Sequence, residues 1–98
     1  MSRSYDRDPE KAIENFFKHG VTFPEAETVD LDPYRKFLPD PYHDVEDDRF
    51  ILIGNSRKAR LLFVVTSERG PRPRIITARR ATKRERHAYE HQRPLGPG

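Results

Sequence analysis

The sequence predicts an α+β domain: two N-terminal helices, a four-stranded antiparallel meander sheet and a C-terminal helix. Three observations carry this. Helix-start signatures cluster in the first thirty residues, at Asp8-Pro9 and Thr22-x-x-Glu25. Short β-branched and apolar runs joined by turn residues then occupy the middle of the chain. A third capping box, Thr82-x-x-Glu85, opens a basic helix near the end. Separate blocks of helix and strand, without βα alternation, are the pattern of an α+β fold.

In order, Asp8 caps and Pro9 starts a helix that runs to about Lys18, with Ala12, Ile13, Phe16 and Phe17 predicted as its inward face. Lys18 and His19 sit in its last turn and Gly20 ends it. A short helix follows from Phe23 to Val29, turning Phe23, Ala26 and Val29 inward. Tyr34 to Leu38 reads as an edge strand, and Pro39 to Asp48 as an acidic loop. Arg49 to Gly54 is a strand, Asn55-Ser56 its turn, and Ala59 to Ser67 a central strand around the run Leu61-Leu62-Phe63-Val64-Val65. Glu68-Arg69-Gly70-Pro71 closes the next connection. A last strand ends near Ala78, and a final helix spans Ala81 to about Gln92, where Pro94 prevents continuation. Residues 1–93 form one predicted domain and 94–98 a flexible tail.

Composition narrows the function. Of 98 residues, 34% are hydrophobic and 36% charged, so the core must be modest. The absence of cysteine excludes disulfides, thiolate zinc sites and thiol catalysis. No long apolar segment or signal-like leader occurs, so a cytoplasmic protein without membrane association is expected. The net charge of +3 conceals an asymmetry. Residues 1–48 hold six Lys/Arg against thirteen Asp/Glu, whereas residues 49–98 hold thirteen against three. A basic half of this strength points to an anionic partner, foremost nucleic acid.

The strongest local signal is Arg74 to Glu90. A strand that ends near Ala78 hands the two guanidinium groups of Arg79-Arg80 to the start of a helix carrying Lys83, Arg84 and Arg86. Guanidinium forks match phosphate oxygens, and helix N–H groups add to the same field. Arg79 and Arg80 are therefore candidate phosphate ligands, with Arg49, Arg74, Lys83, Arg84 and Arg86 as candidate nucleic-acid contacts. His19 and Lys18 close the first helix, where they read first as structural caps and second as candidates for proton transfer. Glu85 is a capping-box partner and a candidate base, and Tyr89 a candidate with its ring in the core. His43 stands among Asp44, Glu46, Asp47 and Asp48, without the spacing of a metal site. No metal and no cofactor are expected.

These segments resemble the BrnT ribonuclease toxins of bacterial toxin–antitoxin modules. DPEKAIENFFKHGVTFPEAETV, DPYHDVEDDRFILIG, the ERG turn and RIITARRATKRERHAYE occur in the family order. The resemblance implies a RelE-like fold and RNA cleavage that inhibits translation. It also implies a ribbon-helix-helix antitoxin that neutralises the toxin and, with it, represses their operon, so that operator DNA is met only through the complex. Carried over by motif, the family's polar positions fall on Lys18, His19, Arg49, Arg79, Arg80, Glu85 and Tyr89. Two departures stand out: Thr66 replaces a histidine of the family's VVHTERG segment, and Asp30 replaces an apolar residue, which is expected to loosen the second helix. The residues alone leave open a non-catalytic module that binds nucleic acid or antitoxin, or acts as a co-repressor.

Overall fold

The computed structural model describes residues 4–41 and 48–92. Its elements are α1 (Pro9–His19), α2 (Phe23–Glu27), a 3-10 turn (Thr28–Leu31), β1 (Lys36–Pro39), β2 (Arg49–Asn55), β3 (Leu61–Ser67), β4 (Arg74–Arg80) and α3 (Lys83–Gln92). The strands pair antiparallel in the order β1-β2-β3-β4, the predicted meander. The first strand begins later than Tyr34 because that residue belongs to a turn closed by Asp32, whose Oδ1 accepts from the Tyr34 N–H at 2.8 Å. The last strand runs two residues beyond Ala78, which carries Arg79 and Arg80 into the sheet. The acidic loop around His43 and the tail from Arg93 lie outside the described residues.

Both faces of the sheet are covered. On one, Leu52, Leu62, Val64, Ile75 and Ala78 meet Val21, Phe23, Ala26 and Val29 from the N-terminal elements. On the other, Ile51, Ile53 and Leu61 pack with Tyr89 of α3. Gly54 lets the first layer close. A Cβ there would stand 2.9 Å from Val29 Cγ1 and 3.0 Å from Asp32 Oδ2, closer than side chains approach one another.

The N-terminus of α1 forms as its sequence dictates. Asp8 Oδ1 accepts from the N–H groups of Glu10 and Lys11. Gly20, at φ 68°, ends the helix in the left-handed conformation, with its N–H on the Phe16 carbonyl at 2.8 Å. The inward face, however, is not the predicted apolar one. Ile13, Phe16 and Phe17 are 58%, 50% and 84% exposed, and the buried residue of α1 is Asn15. Ala12 alone of the predicted four packs against the core, as a partly buried neighbour.

Asn15 explains this inversion. Its Nδ2 donates to the carbonyls of Val21 (2.9 Å) and Ala78 (2.8 Å), and its Oδ1 accepts from the Ala78 N–H and the Thr77 hydroxyl, each at 3.0 Å. Two carbonyls on the nitrogen and two donors on the oxygen use the full bonding capacity of the amide. β4 is an edge strand, and Asn15 takes the place of a further strand at Ala78, satisfying backbone groups that burial would otherwise leave without partners.

Buried carboxylates tie down the remaining pieces. The Tyr5 hydroxyl donates to Asp30 at 2.6 Å, so Asp30 anchors the N-terminal segment, while α2 stops at Glu27, short of the predicted Val29, and passes into the 3-10 turn. Glu25 does not complete the second capping box. Thr22 Oγ1 accepts from the Glu25 N–H, but the Glu25 carboxylate turns away to Arg60 and to the Ser56 hydroxyl at 2.7 Å. Asp32 accepts from the Asn55 N–H at 2.7 Å and from the Tyr89 hydroxyl at 2.6 Å, joining β2 to α3.

Asn15→Ala is expected to cost ~2–5 kcal/mol, because it strands the buried donor and acceptor of Ala78. Phe17→Ser should stay within about 0.5 kcal/mol of the parent, as an exposed position does. Urea unfolding monitored by circular dichroism checks both, and the reverse ranking would refute the clamp.

Candidate functional site

Asn15 also sets where the cations fall. Lys11, Asn15, Lys18 and His19 recur at i, i+4, i+7 and i+8, so they share one stripe of α1, while Ile13, Phe16 and Phe17 lie on the opposite side. Lys11 lines a cleft with Arg74 and Ile76, and Asn15 bonds Ala78, so α1 runs parallel to β4. One helical turn advances about 5.4 Å, close to the ~6.6 Å of two strand residues at about 3.3 Å each. The turn bearing Lys18 and His19 is thereby brought level with Arg80. Arg60, whose Nη2 donates to the Gly20 carbonyl at 3.2 Å, closes the same end of the sheet. Lys18, His19 and Arg80 are all exposed.

The alternation of β4 separates the two arginines that the sequence presents as a pair. Arg80 lies opposite Leu62, on the face that α1 and α2 cover, whereas Arg79 lies opposite Phe63, on the face of α3. The Arg79 guanidinium stands 4.1 Å from the Phe63 ring centroid. Its Nη1 and Nη2 each donate to Glu85 at 2.8 Å, and Nη1 also donates to the Arg80 carbonyl at 3.2 Å. The Nε–H and the second Nη2–H make no hydrogen bond among the described residues; they form the other fork of the guanidinium.

Glu85 is occupied from several sides. It accepts the Arg79 fork, and its Oε1 takes the Thr82 N–H at 2.9 Å, while Thr82 Oγ1 accepts the Glu85 N–H at 3.2 Å. The predicted capping box of α3 is therefore formed. Burial pushes the Glu85 carboxyl up, but the Arg79 hydrogen bonds and the Thr82 N–H outweigh it and hold the group below its ordinary value. Glu25 is likewise held down, first by the hydrogen bond from Arg60, against its burial and with help from Ser56.

Tyr89 is 3% exposed. Its hydroxyl donates to Asp32 and accepts from Asn55 Nδ2 at 3.3 Å, which places it in the core beneath α3. Lys83, Arg84 and Arg86 are exposed along α3. Thr66, where the family histidine was expected, is fully buried and its hydroxyl donates to Glu68 at 2.7 Å, so this position lies inside the sheet.

A second cationic feature lies at the far end of β4. Lys11, Arg49, Ser67, Arg69, Gly70, Arg74 and Ile76 line an open cleft of about 400 Å³. Arg49 and Arg74 were legible as cations, but Lys11 and Arg69 were not connected with them, since only the parallel run of α1 along β4 unites them. Among the described residues, no group of three or more His, Asp or Glu side chains is placed to hold a metal ion. No described helix is long and apolar enough to cross a membrane.

A family profile described as "Ribonuclease toxin, BrnT, of type II toxin-antitoxin system" matches residues 8–85. The chain belongs to the BrnT family. The match begins at the Asp8 cap and ends at Glu85, so it spans α1, the whole sheet and the capping box that holds Arg79. Comparison with curated proteins finds no match. Membership of the BrnT family makes this a type II toxin–antitoxin toxin with RNA as its target and an antitoxin as its partner.

Because the folded carboxyls of Glu25 and Glu85 lie below the ordinary 4.5, their stabilisation is complete above that value and is lost as pH falls through the lower folded values. Urea midpoints measured from about pH 6 to about pH 3 should fall steeply on the acid side. Glu25→Gln should flatten that limb; an unchanged pH profile would count against the pair.

Proposed function

We propose that this BrnT protein is a metal-independent endoribonuclease whose reacting centre lies at the end of the α1–β4 seam, around Lys18, His19 and Arg80. What supports this reading is that Lys18 and His19 lie exposed on the stripe of α1 that carries Asn15, and Asn15 bonds β4 at Ala78, two residues before the exposed Arg80. In the reaction, an RNA 2′-hydroxyl attacks the adjacent phosphorus. The P–O5′ bond breaks, leaving a 2′,3′-cyclic phosphate on one product and a 5′-hydroxyl on the other. No external nucleophile or metal is needed for that step.

Arg80 and Lys18 supply charge to the phosphate oxygens as negative charge builds on them. His19 is the group suited to proton transfer, since one nitrogen of an imidazole accepts a proton while the other donates. Glu85, considered as a base from sequence, serves here as a positioning residue. Its carboxylate is held ionised by Arg79 and the Thr82 N–H, and it fixes the Arg79 guanidinium with one fork still open to a phosphate. Tyr89 holds α3 in place through Asp32. Lys83, Arg84 and Arg86 extend the positive field along α3 for the RNA strand.

The protein acts in the cytoplasm, where its cleavage of RNA stops translation. The ribbon-helix-helix class of the antitoxin, and operon repression by the toxin–antitoxin complex, rest on the resemblance; a neighbouring reading frame of that class would support them.

Purified protein incubated with RNA in EDTA should cleave and leave cyclic phosphate ends. Arg80→Ala is expected to slow cleavage ~100-fold, and His19→Ala by ~100-fold or more. Cleavage that chelator abolishes, or that both variants retain in full, would overturn the mechanism. RNA binding without cleavage by the parent protein would favour the non-catalytic module.

A further inference from the structure

The cleft at the opposite end of the seam has no part in that chemistry, yet it is built for an anion. Its lining brings together Lys11 from α1, Arg49 from β2, Ser67 from β3, Arg69 from the following turn and Arg74 from β4, with no carboxylate among the lining residues. The side chains of Lys11, Arg69 and Arg74 make no hydrogen bond or ion pair among the described residues. Arg49, Ser67 and Arg74 are aligned across three strands, because Arg49 pairs with Ser67 and Ser67 with Arg74.

That second pairing depends on an irregularity. Val65 pairs with Thr77 and Thr66 with Ile75, so β4 carries one extra residue, Ile76, in a bulge. The bulge shifts the register so that Arg74 falls beside Ser67, and Ile76 itself lines the cleft. Asp6, whose backbone bridges to Arg74, gives its carboxylate to Arg72 at 3.2 Å.

We propose that this cleft is a phosphate-binding subsite that grips a single-stranded RNA several nucleotides away from the bond that is cut. The inference rests on the RNA-cleaving reading and extends it. Arg74 and Arg80 are the two ends of one strand, roughly 20 Å apart at ~3.3 Å per residue. The stripe Lys11–Asn15–Lys18–His19 runs beside that strand for about 12 Å at ~1.5 Å per residue, with cations at both ends and the Asn15 clamp between. An extended RNA backbone laid along the seam meets cations at its two ends. The protein would therefore select single-stranded RNA by length and backbone charge through this subsite, and the reacting centre alone would suffice for the shortest substrates.

The test compares the double variant Arg69→Ala/Arg74→Ala with the parent on two RNA probes: a dinucleotide, and a 2′-O-methyl oligomer of about eight nucleotides that resists cleavage. Binding of the oligomer should weaken at least ~10-fold, and the slope of log affinity against log salt should become shallower by about 0.7 for each phosphate that the variant no longer neutralises. Dinucleotide cleavage should be unchanged, and Arg69→Lys/Arg74→Lys should restore most of the oligomer affinity. Circular dichroism melts that coincide with the parent exclude a folding defect as the cause. Oligomer binding unaffected by the double alanine variant overturns the subsite. If the parent cleaves neither the dinucleotide nor an unmodified RNA of the oligomer's length, but its oligomer binding still depends on Arg69 and Arg74, the subsite stands and the nuclease reading alone fails.

Discussion

The arrangement depends on one buried amide. Asn15 uses three of its four hydrogen bonds to join α1 to the edge strand β4, two of them to the backbone of Ala78, and the fourth to hold the Val21 carbonyl. A helix held by an apolar stripe can slide or rotate by a fraction of a turn at modest cost. A helix whose only buried side chain must meet a donor and an acceptor of one strand residue cannot. The rotation of α1 that results turns Ile13, Phe16 and Phe17 outward and brings Lys11, Lys18 and His19 to the seam. Position along β4 and orientation about the helix axis follow from the same contact.

The opposite face of the sheet is governed by carboxylates in the same way. Asp32 receives β2 and α3 together through Asn55 and Tyr89. Glu85 does so for the last strand and helix, accepting Arg79 while capping α3. The acidic first half of the chain is thus partly explained: Glu25, Asp30 and Asp32 act inside the fold on Arg60, Tyr5 and Tyr89. This leaves much of the basic half facing solvent, in line with a protein whose family acts on RNA.

The elements were legible because their signals are local. Asp8-Pro9, Gly20, Thr82-x-x-Glu85 and the run from Leu61 to Val65 each determine a cap, a stop or a central strand within a few residues. The meander could be read from short connections between strands. What could not be read was any preference set by distant partners. The apolar spacing of Ile13, Phe16 and Phe17 is that of a buried face, and nothing local shows that Asn15 outcompetes it through Ala78, sixty-three positions away. Arg79 and Arg80 look like a pair until strand alternation parts them. Tyr89 reads as a candidate with its ring in the core, but nothing local shows that Asp32 and Asn55 engage its hydroxyl, and the cleft requires the bulge at Ile76 to bring Arg74 beside Ser67.

If the α1–β4 seam, clamped by Asn15, is the surface on which RNA lies, a titration with a non-cleavable 2′-O-methyl RNA will reveal it in the backbone amide resonances. NMR shifts are expected at both ends of the seam, around Lys18, His19 and Arg80 and around Lys11, Arg69 and Arg74, with Ile13, Phe16 and Phe17 unmoved. Shifts confined to that apolar face of α1, or to α3 alone, would place the RNA elsewhere and contradict the seam as its binding surface.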